Sequence, residues 1–247
     1  MKWIFALIIV VGGYCHEPSV KVAVCYWGLT RSTRFVYPSH FDRIFRVLET
    51  NGIGYDVFMH TWSIEGKQWS WDQQLETPVD YEEYQFLKPK YYKIEPQSEF
   101  LDRLDFSQYY YQGETEWLPQ LIRNHLCALE SQKRVTDMVT ESGNHYDFII
   151  YVRPDVWFRS PLDVGLMRSL KEGEIVVPSF DSYGGYNDRF AILPFATAPI
   201  YGKRIDEIAQ FRRDVGYIVS EKYVKYICDK YGLKVHFSNI DFVFVRP

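Results

Sequence analysis

The stretch Tyr146-Asp-Phe-Ile-Ile-Tyr-Val-Arg-Pro-Asp-Val-Trp-Phe158 decides the fold of this chain. The apolar run from Phe148 to Val152 has the length and β-branched content of a strand covered on both faces, as in a parallel sheet. Pro154 has no backbone N–H, so regular strand pairing is expected to end there. Arg153 and Asp155 therefore follow a central strand directly, at the edge where open α/β sheets bind ligands. A solvated ion pair on a loop is the alternative for these two residues.

The residues nearest the start of the regular pattern predict a βαβ unit. Val22 to Trp27 is predicted to be a buried strand, and Tyr55 to His60 the next one. Between them, Ser39 is the expected N-cap of a helix through Glu49, which Asn51-Gly52 ends. Two strands joined by one helix favour a parallel sheet.

The rest of the chain predicts further strands and helices around the same sheet. Residues 63–115 form a weakly patterned insertion, with a strand expected near Tyr91 to Ile94; long insertions of this kind often serve as a lid or an acceptor platform. Trp117 to Glu141 carries a helical stripe that leads into the strand at Phe148. The later segments are mixed rather than purely parallel: a short helix at 162–170, strands at 174–178 and 189–193, helices at 198–212 and 220–231, and strands at 234–237 and 242–245.

Composition indicates one globular domain and argues against a nucleic-acid partner. The chain has 247 residues, 47% of them hydrophobic and 24% charged, which is enough to bury a core without disulfides or metals. The formal net charge is -4, whereas nucleic-acid binding normally requires a basic surface, so the composition argues against a nucleic-acid partner. Aromatic residues make up 18% of the chain and offer faces on which sugars and bases can stack, although most aromatics in a large core simply pack.

The amino terminus predicts a leader. Met1 to Val11 combines a cationic start with an apolar run, followed by Gly12-Gly13 and polar residues, as in a secretory signal peptide. We therefore divide the chain into residues 1–19, a signal peptide or short membrane anchor, and residues 20–247, the functional domain. A buried strand is the alternative for the apolar run. The leader favours the lumen of the secretory pathway or a membrane-associated location, with the cytoplasm as the alternative.

The four cysteines show no paired spacing of the kind that binds a metal. They are Cys15, Cys25, Cys127 and Cys228. Removal of a leader would leave three, so buried free thiols are expected rather than a complete disulfide framework.

Four stretches together resemble a known family. Tyr151-Val-Arg-Pro-Asp-Val-Trp-Phe158 resembles the metal-binding turn of nucleotide-sugar glycosyltransferases of the GT-A fold, in which a strand ends in Asp-x-Asp. The other three are Val22 to Arg31, Tyr55 to Trp62 and Gly184 to Ala191, and the similarity spans about residues 20 to 246. In order and spacing they are similar to viral and bacterial polysaccharide-building sugar transferases, a family that includes xylosyltransferase-type enzymes of large algal viruses.

The resemblance implies an α/β fold that is GT-A-like, with a mixed, mainly parallel central sheet flanked by helices in a single domain. It also implies a set of residues that bind the donor nucleotide: Arg31, Arg34, His60, Trp62, Arg153 and Asp155. Each of four of these residues has a structural alternative. The two loop arginines could be solvated, His60 could contact a backbone carbonyl, and Trp62 could pack in the core.

The metal is less clearly implied, because Arg153 stands where the family has the first Asp of Asp-x-Asp. Asp155 is the expected ligand of a divalent cation, Mn²⁺ or Mg²⁺, with His236 as a further ligand or a structural histidine. Alternatively, Arg153 neutralises the diphosphate itself and removes the need for a metal.

A carboxylate is expected to act as the base of an inverting reaction. Asp188 follows the Gly184-Gly185 turn and is the first candidate, and Asp181 is the second. Local pairing of Asp188 with Arg189, or a helix cap, is the structural alternative. For Glu221, a position at a helix start makes a capping role the simpler expectation.

Together these patterns predict a glycosyltransferase that moves a sugar from a nucleotide-sugar donor to a glycan or glycoconjugate acceptor, with attachment to a membrane through its amino terminus as an option. The alternative from another class is a non-catalytic protein that binds carbohydrate or a nucleotide sugar in a decayed GT-A site. A hydrolase is the weaker alternative, because no pair of acids shares an evident scaffold.

Overall fold

A computed structural model describes residues 20–70, 75–111 and 117–246. The strands in these residues are β1 Lys21–Trp27, β2 Gly54–Ser63, β3 Lys67–Ser70, β4 Leu75–Pro78, β5 Tyr91–Pro96, β6 Phe148–Val152, β7 Val156–Phe158, β8 Glu174–Pro178, β9 Phe190–Pro194, β10 Lys234–Ser238 and β11 Phe242–Phe244. The α-helices are α1 Thr33–His40, α2 Arg46–Thr50, α3 Gln97–Arg103, α4 Pro119–Glu141, α5 Val164–Ser169, α6 Ala198–Gly202, α7 Ile208–Val215 and α8 Ser220–Tyr231. A π-helical turn spans Phe41–Phe45, and 3₁₀ turns span Tyr81–Leu87, Phe106–Gln108 and Arg204–Glu207.

The central sheet has seven strands in the order β10-β8-β9-β6-β1-β2-β5. β9 is antiparallel to its neighbours β6 and β8, and the other paired neighbours are parallel. This confirms the predicted fold class, a mixed and mainly parallel sheet. Two small antiparallel pairs, β7 with β11 and β3 with β4, lie beside it.

Helices cover both faces of the sheet because β1 and β6 are apolar on both sides. In β1, Val22, Val24 and Tyr26 pack on the face covered by α2 and α5. Ala23, Cys25 and Trp27 pack on the opposite face, under α4, α6 and α8. The three cysteines among the described residues, Cys25, Cys127 and Cys228, are buried free thiols, as expected.

The first helix begins at Thr33, so the predicted start at Ser39 is wrong. Proline usually marks a helix boundary, but here Pro38 lies inside the helix, which continues through the π-helical turn into α2. Ser39 does not cap; its hydroxyl donates to the Val36 carbonyl (2.8 Å) and accepts the Phe158 N–H (3.0 Å). The residue therefore joins the helix to β7.

The remaining predicted elements are confirmed, including the strand near Tyr91, which forms the sheet edge as β5. Regular pairing of β6 ends before Pro154, and the chain then pairs with β11 as β7. The expected leader, residues 1–19 with Cys15, lies outside the described residues. No described helix is both long and apolar enough to span a membrane.

Candidate active site

Strand order brings four separate segments of the chain together at the carboxyl ends of the central strands β1 and β6. β1 and β6 are parallel neighbours, so the residues after Trp27 and after Val152 leave the sheet side by side. β9 is antiparallel, and its Phe190 pairs with Val152, so the residues just before β9 lie at the same edge. The fourth segment follows β11: the Val245 N–H donates to the Asp155 carbonyl (3.0 Å). Such a switch in strand order is where open α/β sheets bind ligands.

A cleft of about 370 Å³ opens at this edge. That volume lies within the usual range for a small-molecule site. Its charged and aromatic lining residues are Arg31, Arg153, Arg189, Arg246, Asp181, Asp188, Glu221, His125, Trp62, Trp117, Tyr183 and Phe244.

The basic end of the cleft is built around a buried carboxylate. Arg153 Nε and Nη2 donate to the two oxygens of Asp155 at 2.9 and 2.8 Å, and Arg246 Nε lies 3.9 Å from Asp155 Oδ2. Burial alone would raise the pKa of Asp155, but the charges of Arg153, Arg246 and Arg31 and the hydrogen bonds from Arg153 outweigh it and lower the pKa to about 2. Asp155 is therefore ionised at neutral pH, and both of its oxygens accept hydrogen bonds from Arg153.

Phe244 holds the guanidinium groups of this region in place. Its ring centre lies 5.2 Å from Arg153 Cζ, 5.1 Å from Arg189 Cζ and 4.8 Å from Arg246 Cζ. An aromatic face attracts guanidinium groups, so each of these contacts is favourable for the arginine that makes it.

The end of the cleft formed by the segment before β9 and the start of α8 is acidic, and it meets the basic end at Phe244. Arg189 contacts three carboxylates: Asp181 Oδ2 and Glu221 Oε1, each at 3.3 Å, and Asp188 Oδ1 at 3.8 Å. Asp188 and Glu221 are buried. Burial and the charge of Asp188 raise the pKa of Glu221 to about 7. Although burial alone would raise the pKa of Asp188, the charge of Arg189 and smaller contributions from neighbouring basic groups lower it. Asp188 is thus ionised at neutral pH, whereas Glu221 gains or loses its proton near neutral pH.

The Gly184-Gly185 turn packs this acidic end against α8. Gly184 has a φ of +78°, which favours glycine, and a Cβ on Gly185 would lie 1.9 Å from the Glu221 carbonyl oxygen. The Tyr186 N–H donates to that carbonyl (3.0 Å). The two glycines therefore fix Glu221 relative to Asp188.

His60 lies beneath the cleft rather than in its lining. It is fully buried, with Nδ1 2.8 Å from Ser131 Oγ and Nε2 3.1 Å from Glu95 Oε2. Because a carboxylate only accepts, Nε2 carries the proton. The single hydroxyl proton of Ser131 lies within reach of both Nδ1 and the His60 carbonyl (3.0 Å). Ser131 Oγ in turn accepts the Gly28 N–H (2.8 Å). His60 thus supports the loop after β1, because α4 covers the end of β2.

Trp62 does reach the cleft wall, but its indole is almost fully buried. Nε1 donates to the Cys127 carbonyl (2.9 Å), and the ring stacks on Phe100 with a centroid distance of 5.7 Å. It is a packed wall rather than an open stacking platform.

Two further candidates from the sequence lie away from the cleft. Arg34 is exposed on α1, with its guanidinium 4.9 Å from the Phe35 ring centre. α1 begins before it and turns its side chain outward. His236 lies on the edge strand β10, separated from β6 by two strands, and its Nε2 is 3.3 Å from Glu174 Oε2. The sequence did not reveal that this strand would lie so far from β6.

Several cleft residues, among them Arg246, His125 and Glu221, were not predicted from the sequence or were given a different role. Arg246 enters only through the pairing of β11 with β7, which no local pattern announces. His125 is buried in the apolar stripe of α4, where its pKa is lowered to about 4 mainly by burial. Glu221 does occupy the first turn of α8, as expected, yet its side chain also lines the cleft beside Asp188. The neighbours of Glu221 in the cleft, Asp188 and Arg189, come from a distant segment, so local sequence carried no signal for this contact.

The residues at the end of β6 do not fit a divalent cation. Both oxygens of Asp155 accept from Arg153, and a hard cation would have to enter among guanidinium groups with one carboxylate as its protein ligand. His236 lies two strands away from β6. Within residues 20–70, 75–111 and 117–246, no group of three or more His, Cys, Asp and Glu residues is arranged to hold a metal.

No family model and no curated protein match this chain. Among solved structures, the chain is similar to the crystal structure of mouse xyloside xylosyltransferase 1 in its apo form, at 9% sequence identity and a TM-score of 0.44. The alignment covers 90% of this chain and 85% of that chain. A likeness at this level says nothing of substrate or reaction, so function must be inferred from the cleft itself.

Proposed function

We propose that this protein is a glycosyltransferase that moves a sugar from a nucleotide-sugar donor to a hydroxyl of a glycan acceptor. The observation that carries the proposal is the polarity of the cleft. Arginines gather at the end formed by β1, β6 and the segment after β11, and a buried carboxyl pair faces them from the start of β9 and of α8. A sugar nucleotide needs cations at its diphosphate, and an acceptor hydroxyl needs a base.

The arginine end supports departure of the nucleotide. As the bond between the sugar carbon and the phosphate oxygen breaks, negative charge grows on the diphosphate. Arg31 and Arg153, which follow β1 and β6, offer guanidinium groups that can offset this charge. Fixed cations in a partly dry cleft stabilise developing charge more strongly than water does.

The acidic end supports activation of the acceptor. In an inverting transfer, the acceptor oxygen attacks the sugar carbon on the face opposite the phosphate while its proton passes to a carboxylate. Asp188 is the proposed base, since it is ionised and buried in the cleft. Glu221, with its pKa of about 7, shares the site and gives the pair the capacity to take up a proton near neutral pH. Asp181 is less suited because it is exposed and accepts a hydrogen bond from Arg189 (3.3 Å), whereas Asp188 lies 3.8 Å from Arg189.

Release of nucleoside diphosphate from a panel of sugar nucleotides tests the proposal. We expect slow release without acceptor from one donor, and faster release with sugar transfer when glycan acceptors are added. The alternative, a non-catalytic binding protein, is favoured if a donor binds in calorimetry while neither hydrolysis nor transfer occurs.

A further inference from the structure

The loop between β8 and β9 carries an aromatic side chain that is exposed within the cleft. Tyr183 lines the cleft, and the residue is 64% exposed. Its hydroxyl lies 3.5 Å from Asp181 Oδ1, a long and therefore weak hydrogen bond. The other aromatic lining residues, Trp62, Trp117 and Phe244, are buried or half-buried. Tyr183 thus offers an aromatic surface that the fold itself does not cover.

Hydrogen bonds fix the shape of this loop. Asn187 is buried, and its Nδ2 donates to the Phe180 carbonyl (3.1 Å), which joins the two ends of the loop. Inside the loop, the Gly185 N–H donates to the Ser182 carbonyl (2.6 Å). Together with the contact to α8, these bonds hold Tyr183 in position before any ligand arrives. Less conformational freedom is then lost when a ligand binds to the ring.

Two residues of the loop have a backbone conformation that side chains disfavour. Asp181 has a φ of +49° and Tyr183 a φ of +39°, both in the left-handed region. Aspartate is found there fairly often, but a bulky residue such as tyrosine rarely is, and it loses stability by adopting this conformation. Glycine would fit without that loss. Because the ring is exposed, packing does not account for a tyrosine at this position, whereas a ligand does.

The charges beside Tyr183 favour an uncharged ligand that carries hydroxyl groups. Asp181 is exposed, and its Oδ2 accepts from Arg189 Nη1 (3.3 Å). A carboxylate repels phosphate groups and accepts hydrogen bonds from hydroxyls. A pyranose ring has C–H groups on its face and hydroxyls at its edge. It therefore matches an aromatic ring that lies next to a carboxylate.

We infer that Tyr183 and Asp181 form the subsite for the acceptor sugar. The ring of Tyr183 stacks on the face of a pyranose, and Asp181 accepts a hydrogen bond from one of its hydroxyls. This rests on the proposed function, because the proposed base Asp188 requires an acceptor hydroxyl beside it. The guanidinium of Arg189 contacts both Asp181 and Asp188, so a sugar held by Asp181 lies next to the base.

Saturation-transfer NMR with a panel of methyl pyranosides of hexoses and pentoses measures the subsite directly. We expect at least one of these sugars to bind the wild-type protein, with or without nucleoside diphosphates, and Tyr183→Ala to weaken that binding about 10-fold. Tyr183→Phe keeps the ring and should keep most of the affinity. Tyr92→Ala is the matched control and should bind as the wild type does, because Tyr92 is an exposed tyrosine on β5 outside the cleft.

Tyr183→Gly separates binding from stability. Glycine removes the ring and also the disfavoured conformation, so this variant should lose sugar binding as Tyr183→Ala does. Its thermal midpoint should equal or exceed that of the wild type. A clear fall in the midpoint would show that the ring stabilises the fold, and it would overturn the ligand role of Tyr183.

Asp181→Asn tests the second residue of the subsite. The change keeps the shape of the side chain and removes its charge, so sugar binding should weaken about 5-fold, since hydrogen bonds to charged groups are the stronger ones. Affinity for the donor, measured by calorimetry, should not change. If the variant binds the sugar as the wild type does but loses turnover, Asp181 is the base instead, and its role in the subsite is wrong.

The outcomes separate this inference from the proposed function. If no pyranoside binds the wild-type protein, or if Tyr183→Ala binds the sugar as tightly as the wild type, the subsite is overturned even where sugar transfer is found. Sugar binding that depends on Tyr183 supports the subsite. A failure of every donor to react would then count against the transferase proposal alone and favour a carbohydrate-binding protein.

Discussion

At the scale of single residues, Asp188 provides the most direct test of chemistry. Asp188→Asn keeps the size of the side chain and removes the proton acceptor, so turnover should fall on the order of 10²-fold or more. Affinity for the donor should change little, since the arginine end is untouched. Steady-state kinetics and calorimetry on the same preparation check both expectations. A variant that loses donor affinity but keeps its turnover would show that Asp188 binds the donor instead.

Glu221 makes a different prediction, about stability. Burial and the charge of Asp188 raise the pKa of Glu221 from about 4.5 to about 7, so the folded state keeps a proton that the unfolded chain has released. Stability should therefore fall as the pH rises from about 4.5 to about 7 and stay level above that. Glu221→Gln removes this penalty and should raise the free energy of unfolding near pH 8 by on the order of 2 kcal/mol, with little effect near pH 4.

Urea unfolding at several pH values measures this effect. Glu172→Gln is the control, because Glu172 is exposed. An unchanged pH dependence in Glu221→Gln would mean that Glu221 is already ionised throughout this range.

At the scale of elements, the two glycines before Asp188 give a matched pair of variants. Gly184→Ala places a Cβ at a φ of +78° with only the Lys222 side chain nearby, at 3.6 Å, so a cost of about 1 kcal/mol is expected. Gly185→Ala places a Cβ 1.9 Å from the Glu221 carbonyl oxygen, so the turn must move away from α8. We expect Gly185→Ala to lose more stability and, because the acidic pair is displaced, far more turnover. Equal effects of the two variants would contradict the role assigned to this contact.

Some of the secondary-structure elements could be predicted from the sequence, and others could not. The order of strands and helices followed from local apolar patterns, and so did the placement of Arg31 and Arg153 at one edge, since both follow parallel strands. The pairing of β7 with β11 joins residues far apart in the chain, and with it came Arg246 and Phe244. His60 was predicted to bind a ligand because it lies near the end of a strand. In the structure it is covered by α4, whose Ser131 hydroxyl contacts His60 Nδ1. Such burial is set by packing rather than by local pattern.

At the scale of the whole molecule, charge is segregated. The formal net charge is -4, yet arginines gather at one end of the cleft. An acidic surface with a local basic site disfavours polyanions such as nucleic acid while admitting a small anion into the cleft. Within this distribution, two buried or half-buried carboxylates are held ionised by basic partners in direct contact. Asp155 has Arg153, and Asp56 has Lys21 and Lys90, each with Nζ at 2.8 Å, together with the Tyr146 hydroxyl.

These pairs predict how the protein responds to acid. Among their causes, burial raises the pKa of Asp155 and of Asp56, but their basic partners lower each from 3.8 to about 2. Because the folded pKa lies below the unfolded one, the stabilisation is complete above about pH 4 and is lost as the pH falls toward 2.

Asp155→Asn should cost about 3 kcal/mol at neutral pH, since it leaves Arg153 without its partner, and the deficit relative to wild type should shrink in acid. Denaturant unfolding across this range measures the deficit, with Asp102→Asn, at an exposed position of α3, as the control. A deficit that is the same at pH 2 and pH 7 would mean that Asp155 stabilises the fold through its shape and not through its charge.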